Sequence, residues 1–272
     1  MTLTDLLPLE PHGPDTWVGA GPSYPWGGLY GGQIVAQALM AASHTVPEEF
    51  TVNSLHAYFI RRGDASAPIR YEVDRIRDGR SFYTRRVVAR QSTGAILNMS
   101  ASFQLHEDGP EKQTRERPEA PAPESLTPNS WSPIFDRRQV PSTPESGRGS
   151  AWFRVNQDIG SSSIRNACAL AYASDDMPLS AVIAIHPDRP VVVSDFFATS
   201  LDHAIWFHRP LRAEDWHLYD FAVHSLRANR GLTLGHIFNA TGEHIATVAQ
   251  ELLVRHRRDK PNASGAGGPT GA

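Results

Sequence analysis

The sequence feature that most constrains the fold is an internal repeat. Residues 54–59 read SLHAYF, and residues 200–207 read SLDHAIWF. The offset between the two copies is 147 residues at His56 and His203, and it is 148 residues in the strand-like runs that follow. A spacing this regular predicts a duplicated domain. Polar residues that only one copy holds are therefore candidates for function.

Length and composition fit two such domains. The chain has 272 residues, of which 40% are apolar, and this suits two cores of roughly 100–150 residues each. The formal net charge is −3. A chain with this charge has no global basic field, so we expect no nucleic-acid partner.

Cysteine usage and the N-terminal segment indicate a compartment. Cys168 is the single cysteine, which excludes an intrachain disulfide, and its apolar surroundings predict a buried thiol and not a nucleophile. The first residues, MTLTDLLPLEPHGPD, lack the basic start and apolar stretch of a signal peptide. No apolar run approaches the roughly 18 residues of a membrane span. We therefore expect a cytoplasmic protein without membrane contact.

The first half predicts one helix followed by four strands. Residues 31–46 carry apolar side chains at helical spacing, with glycines before them and Pro47 after them. The predicted strands, separated by Gly-containing turns, are 50–61, 68–77, 81–92 and 95–106. A helix followed by long antiparallel strands is typical of an α+β fold.

The second half predicts the same pattern after a Pro-rich linker. A strand at 150–157 precedes a helix over 162–177, which Pro178 should end or kink. Strands are predicted near 191–209, 215–227, 230–240 and 243–256. The domain prediction is an N-terminal repeat at 1–107, a linker at 108–148, a C-terminal repeat at 149–257 and a disordered tail at 258–272. The two sheets could join edge to edge, with both helices on one face.

Several segments match those of one known family. They cover most of both halves and occur along the chain in the same order as in that family. They are LYGGQIVAQALMAA (29–42), HAYFIRRGD (56–64), IRDGRSFYTRRVVARQ (76–91), ASFQ (101–104), LAYASD (170–175), ATSLDHAIWFHRP (198–210) and VAQELLVR (248–255). On these segments the chain resembles the acyl-CoA thioesterase II family, whose members have a double hotdog fold. The stretch 108–162 matches poorly. The resemblance implies an enzyme that hydrolyses fatty acyl-CoA to free fatty acid and CoA without a cofactor. We also expect a homo-oligomer.

The resemblance also implies a catalytic trio that positions a water molecule. Its residues fall on Asp175 in YASD, Ser200 in SLDH and Gln250 in VAQE, with Asp176 as the neighbouring alternative to Asp175. A carboxylate beside the water can act as general base, and a hydroxyl and a carboxamide can fix the water in place. The first helix has no acidic residue, so the trio belongs to the second copy alone.

The sequence indicates the residues that contact the substrate less specifically than it indicates the catalytic trio. The N–H groups of Gly31 and Gly32, at a helix N-terminus, are candidates to hold the thioester oxygen. Arg85 and Arg230 are candidates to bind the substrate's phosphates, from a larger set of arginines that could do so: Arg61, Arg62, Arg85, Arg86, Arg209, Arg227 and Arg230. The chain has no Cys/His cluster, so we expect no metal.

Two other functions stay open at this point. A hotdog hydratase or dehydratase would use an Asp/His pair around the helix, and a non-catalytic acyl-CoA binding module would need no catalytic groups. Asp202 and His203 are adjacent on a predicted strand and should point to opposite faces, so they cannot share one site. His56 occupies the corresponding place in the first copy, which favours a role in the fold for both histidines.

Overall fold

The first repeat has the predicted helix and four strands, preceded by three short elements. The structure is a computed structural model that describes residues 1–143, 146–187 and 196–256. The elements are α1 (Leu3–Leu6), β1 (Glu10–Pro11), β2 (Thr16–Gly19), α2 (Gly31–Ser43), β3 (Phe50–Phe59), β4 (Ile69–Asp78), β5 (Phe82–Gln91) and β6 (Gly94–Leu105). The four predicted strands are confirmed to within two residues at each end.

The linker and the second repeat contain three elements that the sequence did not predict. The elements of this part of the chain are a 3₁₀ turn (Pro123–Ser125), β7 (Phe135–Val140), β8 (Arg148–Val155), α3 (Ser163–Ser174), α4 (Met177–Ala184), β9 (Phe196–Ser200), β10 (Asp202–Phe207), β11 (His217–Arg227), β12 (Arg230–Asn239) and β13 (His244–His256). Those that the sequence did not predict are the 3₁₀ turn, β7 and α4. The stretch 108–148 contributes β7 to the sheet. The strand predicted at 191–209 is divided into β9 and β10. Its first residues, 191–195, and the tail 258–272 lie outside the described residues.

All the strands of the described chain belong to one antiparallel sheet. Their order is β1-β2-β4-β5-β6-β3-β10-β13-β12-β11-β8-β7, with β9 paired to β13. The two repeats meet where β3 pairs with β10, and Ala57 lies opposite His203 in that pairing. The α+β fold is therefore a double hotdog with its two sheets joined edge to edge, as the sequence allowed.

The two long helices pack against each other and on the sheet. Every residue of α2 from Gly32 to Ala42 is buried, including the polar Gln33 and Gln37. Both carboxamides are satisfied, because Tyr24 donates to Gln33 and Gln37 donates to the Leu6 carbonyl oxygen, each over 2.8 Å. Tyr30, just before α2, donates to the carbonyl oxygen of Tyr172 on α3. The N-terminus of α2 is thereby fixed beside the last turn of α3.

The helix predicted at 162–177 is interrupted after Ser174. Asp175 is the C-cap of α3, and α4 begins at Met177 with Pro178 in its first turn. Proline is tolerated there because the first N–H groups of a helix have no intrahelical partner. Pro178 thus starts a new helix, and Asp175 lies at the junction of the two.

The two repeat histidines do not share a role. His203 is fully buried on the helix side of the sheet, whereas His56 lies on the outer face and binds Asp202 there, with 3.0 Å between Nε2 and Oδ2. Neighbouring side chains along a strand point to opposite faces of the sheet, so two residues that face opposite sides are not equivalent in the two repeats, although 147 residues separate them in the sequence match. The prediction that His56 and His203 occupy corresponding places is wrong, whereas the prediction that Asp202 and His203 point to opposite faces is confirmed.

Other sequence predictions have mixed outcomes. Cys168 is buried on α3, and burial raises the pKa of its thiol, so the prediction of a buried thiol is confirmed. None of the helices in the described ranges is long and apolar enough to cross a membrane. The histidines, cysteine and acids of those ranges form no group of three or more that could hold a metal ion. The compartment and the oligomeric state stay predictions.

Candidate active site

The carboxylate of Asp175 lies where the two helices meet the second half of the sheet. Its Oδ2 accepts a hydrogen bond from the Gly32 N–H over 2.9 Å, and its Oδ1 accepts one from Gln250 Nε2 over 2.8 Å. Ser200 Oγ lies 3.4 Å from the same Oδ1. The three side chains that the resemblance implied are therefore brought together.

The surroundings of Asp175 change its acidity. Burial of the carboxylate raises its pKa to about 7, although hydrogen bonds from Gln250, Gly32 and Ser200 act in the opposite direction. The negative charge of Asp176 contributes to this rise. The N-terminus of α2 points its positive dipole end at the carboxylate, which favours the ionised form. Asp175 can therefore take up or release a proton near neutral pH.

Gln250 connects the other two members of the trio. It lies inside β13 with 1% of its surface exposed, and its Nε2 donates both to Asp175 Oδ1 and, over 2.7 Å, to Ser200 Oγ. Ser200 ends β9, which pairs with β13 so that Ser200 lies opposite Leu252. The carboxamide oxygen faces away from the carboxylate and contacts His203 Nδ1 over 2.6 Å.

Asp176 has a different environment from that of Asp175. Arg137 on β7 forms an ion pair with it over 2.6 Å, and the indole N–H of Trp131 donates to its other oxygen. Both of its carboxylate oxygens are thus held by protein groups. The sequence offered no signal for these two partners, because both lie in the stretch predicted as a linker.

The two glycines at the start of α2 allow the helices to approach closely. A Cβ on Gly32 would lie 2.3 Å from the carbonyl oxygen of Tyr172, and one on Gly31 would lie 2.6 Å from Asp175 Oδ2. The Gly32 N–H binds Asp175, so it is already used inside the protein. Of the two N–H groups predicted to meet a ligand oxygen, only that of Gly31 remains a candidate.

Replacing Gly32 with alanine is expected to destabilise the fold by about 1 to 3 kcal/mol, because the methyl group would push α2 away from the α3 backbone. The measurement is urea unfolding followed by tryptophan fluorescence. Gly109→Ala is the matched control, since a Cβ there would meet nothing within 4 Å. Equal free energies of unfolding for the two variants would contradict the prediction.

The two arginines predicted to bind phosphate lie elsewhere. Arg85 is fully buried on β5, where its guanidinium donates to Thr45 and Asp78 and to the carbonyl oxygens of Arg77 and Thr84. The donors of Arg85 are occupied within the protein, so we do not assign it a phosphate contact. Arg230 begins β12 and pairs with Glu251 on the outer face of the sheet, opposite to the face that Gln250 occupies.

Comparisons with known proteins agree with this architecture. Residues 21–104 match the acyl-CoA thioesterase N-terminal domain, and residues 106–254 match the acyl-CoA thioesterase C-terminal domain. The chain is 34% identical over 253 residues to "Acyl-CoA thioesterase 2" of Haemophilus influenzae, covering 84% of this chain and 87% of that protein. It is 34% identical over 285 residues to human "Acyl-coenzyme A thioesterase 8", covering 93% and 88% respectively.

A solved structure extends the comparison to three dimensions. The crystal structure of an acyl-CoA thioesterase II from Mycobacterium marinum superposes with a TM-score of 0.84 at 35% identity, covering 96% of this chain and 99% of that one. Both domain matches, both long alignments and this superposition agree on one assignment. The chain therefore belongs to the acyl-CoA thioesterase II family.

Proposed function

We propose that this protein hydrolyses fatty acyl-CoA to a free fatty acid and CoA, with a water molecule held by Asp175, Ser200 and Gln250. The observation that carries the proposal is the carboxamide nitrogen of Gln250, which donates to both other members of the trio over 2.7 and 2.8 Å. Family membership supports the reaction, and the geometry supports the choice of residues.

The reaction needs one base and one electrophile. Ionised Asp175 accepts a proton from the water as the water oxygen attacks the thioester carbonyl carbon. A carboxylate whose pKa is raised to about 7 by burial suits this step, because it is both ionised and basic near neutral pH. Collapse of the tetrahedral intermediate breaks the C–S bond. The CoA sulfur takes the proton from Asp175 as the C–S bond breaks, so CoA leaves as the thiol and Asp175 is ionised again.

The polar neighbours of Asp175 restrict where the water can sit. Gln250 Nε2 uses its two hydrogens to fix Asp175 Oδ1 and Ser200 Oγ, so a water between these two oxygens and the substrate would be oriented by groups of fixed position. The Gly31 N–H, in the first turn of α2, is the donor that we assign to the developing oxyanion. A helix N-terminus favours negative charge at that point.

One arginine is better placed for the phosphates of CoA than the two predicted ones. Arg62 is exposed and donates over 2.8 Å to the carbonyl oxygen of Trp26, in the loop that leads into α2. A Cβ on Gly28 would lie 2.6 Å from its Nε, so the guanidinium lies against this loop. We assign a phosphate contact to Arg62 because its charge lies close to the N-terminus of the site helix.

The direct test is an assay of hydrolysis on acyl-CoA substrates with acyl chains of several lengths, in which the free thiol of the released CoA is measured. Purified protein should release CoA in amounts equal to the fatty acid formed. Hydration of crotonyl-CoA without thiol release would favour the hydratase instead. Binding of acyl-CoA without turnover would favour the binding module, and either result would overturn the proposal.

The pH dependence provides a further prediction. Because Asp175 must be ionised to act as base and its pKa is raised to about 7, kcat/KM should rise between about pH 5 and about pH 8. The measurement is the loss of thioester absorbance, which needs no thiol reagent and can be followed across this range. A constant kcat/KM over the same range would contradict the assignment of Asp175 as general base.

A further inference from the structure

A ring of buried hydrogen bonds lies behind the catalytic trio. His203 Nδ1 contacts Gln250 Oε1 over 2.6 Å, and His203 Nε2 contacts Ser174 Oγ over 2.8 Å. Ser174 immediately precedes Asp175, and Gln250 Nε2 binds Asp175, which closes the ring. His203 and Ser174 have no exposed surface, so water cannot replace either partner.

The chemistry of these groups fixes where the hydrogens lie. The carboxamide oxygen of Gln250 can only accept, so His203 must carry its hydrogen on Nδ1. Burial lowers the pKa of His203 to about 4, and the ring is therefore neutral at physiological pH. Its Nε2 then has a lone pair, which accepts the hydroxyl hydrogen of Ser174 over 2.8 Å, a shorter contact than the 3.2 Å from the same hydroxyl to the Ala171 carbonyl oxygen.

We propose that His203 is a positioning residue for hydrolysis: it fixes which end of the Gln250 carboxamide faces Asp175. This inference rests on the proposed function. The two ends of a carboxamide have nearly the same size, so packing alone does not distinguish them. Without a donor on its oxygen, the carboxamide can turn over when Asp175 is protonated, and its oxygen then accepts the proton of the carboxyl group.

The fold itself does not require a histidine at this place. In the first copy, β3 directs the apolar Leu55 and Ala57 to the same side of the sheet, and both are buried. A neutral imidazole with two buried hydrogen bonds is thus specific to the copy that contains the trio. Polar groups are retained in a core when each of them has a partner, as is the case here.

Loss of this positioning should change the pKa of Asp175 in a direction that can be measured. The hydrogen bond from Gln250 lowers the pKa of Asp175, so its loss raises that pKa further. Other charges act on the two residues: Asp176 on Asp175, and Asp202 and His56 on His203 from the outer face of the sheet. None of these charges changes when His203 is replaced. The acid limb of the kcat/KM profile should therefore move to higher pH.

The experiment compares two substitutions of His203 with a surface control. His203→Phe fills the space of the ring but removes the donor, whereas His203→Asn places an amide nitrogen near the position of Nδ1. We expect His203→Phe to lose about 10- to 100-fold in kcat with little change in KM, because the hydrogen bond from Gln250 to Asp175 is weakened. Its loss should be larger on the acid side. His203→Asn should keep the wild-type midpoint, as should His224→Phe on the exposed part of β11.

Several outcomes would overturn the inference. One is a folded His203→Phe protein with wild-type kcat and acid limb, and another is an equal loss in both variants that follows only their stability. If His203→Phe does not fold, Ser174→Ala takes its place, because it removes the partner of Nε2 and weakens the tautomer preference. Its acid limb should move in the same direction by a smaller amount, and an unchanged limb would exclude the role.

A measurement that does not need turnover separates this inference from the proposed function. Nitrogen-15 NMR of histidine-labelled wild-type protein reports which ring nitrogen of His203 carries the hydrogen. We expect the hydrogen on Nδ1 near neutral pH, and a hydrogen on Nε2 would overturn the inference whatever the activity. A protein with the expected tautomer that hydrolyses no thioester would instead show that the proposed function is wrong.

Discussion

Replacing Asp175 with asparagine is expected to lower kcat for acyl-CoA hydrolysis by about 10²- to 10⁴-fold, the contribution that a positioned general base makes. Asparagine has nearly the same shape but cannot take a proton from water. It also cannot satisfy both of its donors: the Gly32 N–H and Gln250 Nε2 each need an acceptor, and asparagine has one carbonyl oxygen. The remaining activity should no longer rise with pH.

Asp176→Asn is the matched control for this prediction. Asp176 is adjacent in the chain, but its oxygens bind Arg137 and Trp131. Its replacement should lower the free energy of unfolding, while the folded protein keeps its kcat near pH 8, where Asp175 is ionised in both proteins. Steady-state kinetics and urea unfolding of both variants separate the two effects. If Asp176→Asn lost turnover and Asp175→Asn kept it, the base would be the other aspartate.

Much of the fold could be predicted because its strands are regular and are bounded by strong turn signals. The Gly-containing turns at 78–81 and 92–94 separate β4, β5 and β6 within two residues of the predicted bounds. Both glycines at the repeat turns, Gly94 and Gly242, have positive φ, which only glycine adopts without strain. Such local chemistry can be read from a sequence without knowledge of the partner strands.

Other features depend on distant contacts and could not be predicted. The linker supplies β7, whose Arg137 neutralises Asp176, and no local pattern marks that pair. The face that each repeat histidine occupies depends on a single residue of register, and the internal repeat does not fix register so finely. The trio itself came from the family resemblance, because an aspartate, a serine and a glutamine on separate elements have no spacing signal of their own.

The replacement of Asp175 has a second expected result, which concerns stability. The pKa of Asp175 is about 7 in the folded protein, above the value of 3.8 for an unperturbed aspartate. Between about pH 4 and about pH 7 the folded state therefore binds more protons than the unfolded state, and Asp175 lowers the free energy of unfolding as pH rises. The loss levels off above pH 7, where it reaches about 4 kcal/mol.

Asp175→Asn lacks this titration, so its stability relative to wild type should increase by about 4 kcal/mol between about pH 4 and about pH 8. Urea unfolding at a series of pH values measures the difference. The control is Ser200→Ala, which keeps the carboxylate, so its free energy of unfolding should fall with rising pH as in the wild type. A difference that is constant with pH would mean that the carboxylate is not strained by burial. A rising difference would mean that the residue responsible for turnover also destabilises the fold, the trade-off expected when a charged group is buried for catalysis.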